Sequence, residues 1–298
     1  MIGDIINKFD KFLGVLFFNS LNTFSYNLFN FFYNKKILIK DIIGKSKIIE
    51  KFDEEGFVQF KNIDLNKISK LNEELSKQKV SKSKENRFEY RINDNAKQII
   101  RSIISEDCKI ILDDLKKYYN SNIYLGHAMI TRNFNYDEKQ GESYSSYFHC
   151  DGYLSTYFKI LINLSNVDSN MGPINVLSKK KTKEDISIFR YNKRSHIKED
   201  KIKSGVFKNT STNGTGLLIS TPQCLHKAGV PNKNFHRDML FLVFCAYPNK
   251  DPNIFSYEQE KDSTIWEVNS ELVRRLGKPY GYKKLIKLYN NFINEKLY

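Results

Sequence analysis

Apolar residues along the chain fall into two textures, helical in the first third and at the end, strand-like between. The first segment, Phe12 to Tyr33, is dense in Phe and Leu and suggests an aromatic helical lead. Ile48 to Glu55 reads as a short helix stopped by Gly56, followed by a strand over Phe57 to Phe60. Asp64 is placed to cap a helix in which Ile68, Leu71 and Leu75 recur at helical spacing. Lys77 to Lys84 is polar and reads as a loop. A longer helix is predicted over Ala96 to Tyr119, with Ile99, Ile100, Ile103 and Ile104 on one face and a break near Asp107.

Then the period shortens. Ile123 to Asn133, Thr156 to Leu164, Ile174 to Leu177, Gly216 to Thr221 and Met239 to Tyr247 are apolar runs of strand length, bounded by Gly, Asn, Asp and Pro. Many short strands with turn chemistry between them predict a mainly β fold with flanking helices: a sandwich, jelly roll or small barrel. From about Thr264 the pattern returns to helix, with Leu272, Leu276, Leu285, Leu288 and Phe292 as packing positions.

Composition changes this picture little. At 298 residues, 40% hydrophobic and 14% aromatic, the chain has ample material for a core and does not read as disordered. The net charge of +14 could mark a nucleic-acid or membrane-surface binder. Its lysines are spread along the chain, however, and the wealth of Lys, Asn, Ile, Phe and Tyr reads as compositional bias. No nucleic-acid partner is expected. The four cysteines, Cys108, Cys150, Cys224 and Cys245, show no paired spacing, which fits a reducing, cytoplasmic setting, with Cys150 and Cys224 as small apolar filler. Seven Asn, Ser and Thr between Asn19 and Asn30 make the aromatic lead too polar to span a bilayer. It reads as an amphipathic segment packed on the domain, with membrane-surface contact the lesser alternative.

The chemistry concentrates on two of five histidines. His149 precedes Asp151 by two, and in a strand such residues share a face, so both can grip one ion. His226 follows the apolar run ending at Thr221. Two imidazoles and one carboxylate leave three positions open on an octahedral iron(II), two for a bidentate 2-oxo acid and one for dioxygen. The His-x-Asp pair alone is weak evidence. Arg237 adds to it: a hairpin turning at Pro231 to Asn234 would return this guanidinium to the pocket as a two-pronged partner for a carboxylate.

The order His149-Cys150-Asp151, then Leu164-Ser165-Asn166-Val167-Asp168-Ser169-Asn170-Met171-Gly172-Pro173, then His226 and Arg237, resembles the phytanoyl-CoA dioxygenase family of iron(II)/2-oxoglutarate oxygenases. Glu54 to Val58 resembles that family's opening helix-to-strand step. The resemblance implies a double-stranded β-helix, a cupin-like jelly roll, over residues 48–250, with an N-terminal extension over 1–47 and a helical C-terminal extension over 251–298. It implies His149, Asp151 and His226 as iron(II) ligands and Arg237 as the anchor of the co-substrate 2-oxoglutarate. The implied reaction consumes dioxygen, releases succinate and CO2, and hydroxylates a C–H bond of a small lipid-, metabolite- or sugar-like molecule. A carboxylate at Asp151 argues for hydroxylation over halogenation.

The chain departs from the family in three places. Leu177-Ser178-Lys179 stands where Leu-Pro-Gly-Ser-His is common, Ala228 replaces a serine that helps hold the co-substrate, and an aromatic common near Leu161 is missing. A substitute hydroxyl would come from Thr131 or Tyr247. By strand parity Lys159, Leu161 and Asn163 point inward together, which would set Lys159 in the co-substrate pocket; a one-residue slip would leave it solvated. His127 reads as a core or pocket-edge histidine, His196 as surface, and His236 as facing away from Arg237. Lys179 to Ser204 reads as an insertion at the pocket mouth, either a lid or a solvated loop. Two other functions stay open: a jelly-roll binding protein without turnover, and an oxygenase or binder acting on nucleic acid.

Overall fold

Capping residues set the helices of the first third. In this computed structural model, residues 46–80, 87–119, 121–135, 147–151, 156–185, 197, 202, 205–247, 254–255, 258 and 261–269 are described. Ser46 caps helix α1 (Lys47–Glu55), and Gly56 ends it at a φ of 84°, in the left-handed region that favours glycine. Asp64 accepts from the Asn66 amide at 2.8 Å and starts α2 (Leu65–Ser76). Asn93 caps α3 (Asp94–Ser102), which passes through a π turn (Ile103–Asp107) into α4 (Lys109–Tyr119). The predicted Ala96–Tyr119 helix is therefore two helices, broken near Asp107.

The strands are β1 (Phe57–Phe60), β2 (Arg87–Tyr90), β3 (Asn122–Phe134), β4 (Tyr157–Asn163), β5 (Asn175–Val176), β6 (Phe207–Lys208), β7 (Gly216–Ile219), β8 (His226–Lys227), β9 (His236–Tyr247) and β10 (Ile265–Glu267). They form two antiparallel sheets. The larger runs β1-β7-β4-β9-β3-β10, with β2 also on β3; the smaller runs β6-β5-β8. This is the predicted jelly roll. A short helix α5 (Lys179–Asp185) follows β5.

Period-two alternation divides the faces of the larger sheet. Ile160 and Ile162 of β4 and Leu240, Leu242 and Phe244 of β9 face the helices, packing with Ile68, Leu71, Ile100 and Leu115. Leu161, Leu217, Ile219 and Met239 face inward, meeting Val176 of the small sheet and Cys224. The inner positions therefore include Lys159 and Arg237, on the parity of Leu161 and Met239.

Two expectations are corrected. The turn between Pro231 and Asn234 does not close a hairpin: β8 pairs with β5 in the small sheet, whereas β9 pairs with β3 and β4 in the large one. That segment is a crossing between sheets. The return to helix at Thr264 is also wrong at its start, because Ile265–Glu267 pairs with β3 and buries Trp266 fully. The positions proposed from Leu272 onward, the aromatic lead, His196 and most of 186–204 lie outside the described residues. Among the described residues no helix is long and apolar enough to cross a membrane.

Candidate metal centre

His149 and His226 face each other as a closely bonded antiparallel pair, each amide donating to the other's carbonyl at 3.0 Å. His149 thereby extends the small sheet beyond β8, and the two rings lie 4.5 Å apart between centroids. Asp151, two residues on, is tied to the end of β7 by its amide, which donates to the Thr221 carbonyl at 3.0 Å. Two separate stretches of chain, one carrying His149 and Asp151 and the other His226, thus deliver the three side chains by backbone pairing.

Each imidazole is fixed in the same way. Nδ1 of His149 lies 2.8 Å from the Tyr147 carbonyl, and Nδ1 of His226 lies 3.0 Å from the Cys224 carbonyl. A carbonyl only accepts, so each Nδ1 carries the hydrogen and each Nε2 keeps its lone pair. Both Nε2 atoms lie 3.9 Å from Asp151 Oδ1. The three ligand atoms all fall within 4.8 Å of one another, and this is the one such group among the described residues.

The electrostatics suit a cation. Burial, then the neighbouring His149, pushes the His226 pKa down to about 3, so this imidazole is neutral at ordinary pH. Burial opposes the Asp151 charge, but the Lys159 ammonium, with the two histidines, outweighs it and holds the carboxyl well below the usual range. Two imidazole nitrogens and one ionised oxygen converge on a point with no thiolate. That donor set fits iron(II). The neighbouring thiols are buried, with that of Cys224 pushed up to about 12 by burial, so they act as packing.

Arg237 lies on the inner face and is 1% exposed. Its Nη1 donates to the Gly229 carbonyl at 3.4 Å, and its Nε has no partner. No acidic group faces it among the described residues, and burial alone pulls its pKa down to about 10. Thr131 is buried beside it, opposite Met239, and its hydroxyl donates to Asn133 Oδ1 at 3.2 Å. Asn133, which stands opposite Arg237 in the β3–β9 ladder, was not picked out by sequence reasoning, since only the register reveals it. Lys159 lies at the other end of the pocket, with Nζ 2.8 Å from Asp151 Oδ2. His127 is pocket-facing, opposite Val243 on β9, and burial, then the Lys159 charge, lowers its pKa to about 4.

The Asn-x-Gly-Pro turn positions the crossing that carries Arg237. Asp168 accepts from the amides of Asn170 and Met171 and shapes the turn. Asn232 then binds Asn170 through backbone and side chain, at 2.7 and 2.9 Å. At Gly229 an added Cβ would sit 2.2 Å from the Pro173 carbonyl; at Gly172 (φ 63°) it would sit 2.4 Å from the Pro231 nitrogen. Two chain segments meet here at backbone contact, which only glycine allows.

The fold has known relatives. SnoN, an epimerase solved with Fe3+, alpha ketoglutarate and nogalamycin RO, matches with a TM-score of 0.50 at 10% identity, covering 68% of this chain and 85% of its own. HygX from Streptomyces hygroscopicus, solved with nickel and 2-oxoglutarate, matches at 0.49 and 14% identity, covering 68% and 87%. EctD from S. alaskensis, solved with 2-oxoglutarate and 5-hydroxyectoine, matches at 0.49 and 13%, covering 72% and 84%. No family model and no curated protein sequence matches the chain.

Proposed function

We propose that this protein is an iron(II)- and 2-oxoglutarate-dependent oxygenase that hydroxylates a C–H bond of a small molecule. One arrangement carries the reading: two Nε2 lone pairs and Asp151 Oδ1 converge at one end of the inner face, with the uncompensated Arg237 guanidinium on the same face. His149, Asp151 and His226 would hold the metal, and Arg237 the distal carboxylate of 2-oxoglutarate. Thr131, diagonal to Arg237 across the β3–β9 ladder, would give that carboxylate the hydroxyl contact that Ala228 cannot. Leu161, Ile219 and Met239 form an apolar wall that excludes water. Iron bound here would supply dioxygen activation coupled to oxidative decarboxylation of the 2-oxo acid.

The jelly-roll core over residues 48–250 would be the catalytic unit. SnoN, which shares the fold, was solved with the small molecule nogalamycin RO, and this supports a small-molecule substrate. The first experiment is succinate release from 2-oxoglutarate under air with iron(II) and ascorbate. Turnover in the wild type and none in His149→Ala or Asp151→Ala is the expected result. No succinate from fully loaded protein would reject the oxygenase reading. Mass analysis of converted substrate then separates addition of an oxygen atom from an unchanged mass, the outcome for an epimerase such as SnoN.

A further inference from the structure

Each metal-ligating imidazole is oriented by a backbone carbonyl, and no main-chain donor does the same for the Asp151 carboxylate among the described residues. Its two oxygens face different ways. Oδ1 lies 3.9 Å from both Nε2 atoms, while Oδ2 lies 2.8 Å from Lys159 Nζ. Oδ2 is buried and makes no aligned hydrogen bond, so the contact to Lys159 is one of charge rather than of direction. Lys159 reaches it from the inner face of β4, where its backbone stands opposite Ile219 on β7 and Val243 on β9. That ladder fixes the root of the side chain on the central strands of the large sheet.

We propose that Lys159 is a positioning residue that restrains Asp151 to a single ligand oxygen. The inference rests on the metal-site reading above and deepens it. A carboxylate can bind a metal through one oxygen or two, and a second oxygen would consume one of the three positions that co-substrate and dioxygen need. An ammonium held on Oδ2 opposes that. It does so at a cost, because a fixed positive charge beside a cation weakens the cation's binding. A residue placed to strengthen metal affinity would have the opposite sign. Lys159 also sits at the metal end of the pocket, not at the Arg237 end, so holding the distal carboxylate is not its task.

Removing this ammonium should split metal from co-substrate affinity in a way that loss of structure alone would not. In Lys159→Met, which keeps the length of the side chain, Mn(II) should bind as tightly as in the wild type or up to about tenfold more tightly. The affinity of the Mn(II)-loaded variant for 2-oxoglutarate should fall by tenfold or more, since ligating carboxylates depend on such outer partners. Lys159→Arg, which keeps the charge and the reach, should restore the wild-type pattern. Crystal structures of the Mn(II) forms without co-substrate give the direct readout: one Asp151 oxygen on the metal in wild type and Lys159→Arg, two in Lys159→Met. One oxygen in all three, or weaker Mn(II) binding in Lys159→Met with unchanged 2-oxoglutarate affinity, overturns the proposal. A wild-type protein that binds no Mn(II) overturns the metal reading itself, and the two failures are therefore distinguishable.

Discussion

A guanidinium buried without a counter-charge destabilises the fold that holds it, and Arg237 is such a group. Its burial is therefore informative about a ligand. Replacing it by Met should lower 2-oxoglutarate affinity by at least a hundredfold, the loss expected when one side of a buried charged pair is removed. The same change should raise the melting temperature of the ligand-free protein, by the equivalent of about 1–4 kcal/mol, because an uncompensated buried cation is gone. An Arg237→Met variant that melts lower and binds the co-substrate normally would contradict both halves. His127 supports a second prediction. Its imidazole titrates near 6.5 when exposed and about 4 in the fold, lowered by burial and then by Lys159. Between those values the unfolded chain holds a proton that the folded chain does not, so stability is lost as pH falls from about 6.5 towards 4. His127→Leu should flatten that part of the stability profile, measured by denaturant midpoints of the metal-free protein. At this scale much was legible from the sequence. The His-x-Asp spacing places two donors on one face whatever the surroundings, and correct parity in β4 turned Lys159 inward. The partner of Lys159 was not legible, because Asp151 reaches it from a stretch of chain paired outside that strand.

Among the elements, the contact between the Gly172–Pro173 turn and the Gly229–Pro231 crossing controls where Arg237 enters the large sheet. Gly229→Ala should cost about 1–3 kcal/mol, the usual cost of overpacking, since its Cβ would meet the Pro173 carbonyl at 2.2 Å. It should weaken 2-oxoglutarate binding more than metal binding, because β9 shifts while the His149–His226 backbone pair is retained. Equal losses in both, read by calorimetry, would show that the turn does not act through Arg237. The strands that the sequence revealed are those lying in apolar or alternating runs: β1, β3, β4, β5, β7 and β9. Those it hid are β2, β6, β8 and β10, each four residues or fewer. In β10 only Trp266 is buried, and one core position in three cannot establish a period. The error over β8 and β9 has a different origin. An apolar run, a turn and another run read the same whether they pair with each other or enter different sheets, and only the complete topology decides. The helices were legible for local reasons: the Gly56 stop, the Asp64 cap and the helical spacing of Ile68, Leu71 and Leu75 all act within a few residues.

For the whole molecule, the two sheets bring donors from two stretches of chain to one end of a pocket and a lone cation to the other. The helices pack on the outer face of the large sheet, behind the pocket. Ligands that bind only the folded state should stabilise it by mass action, about 2.7 kcal/mol when present at a hundred times their dissociation constant. Mn(II) and 2-oxoglutarate together should therefore raise the melting temperature, with a smaller rise for Mn(II) alone. In Asp151→Ala the joint rise should disappear, which differential scanning fluorimetry would show. One metal ion, held by His149, Asp151 and His226, would accept the 2-oxo acid whose far end lies on Arg237. Anaerobic titration of the metal-free protein, first with Fe(II) and then with 2-oxoglutarate, tests this most directly. A weak visible charge-transfer band is expected on the second addition, saturating at one equivalent and absent in His149→Ala and Asp151→Ala. No band at full iron loading, or a band unchanged in those variants, would contradict it.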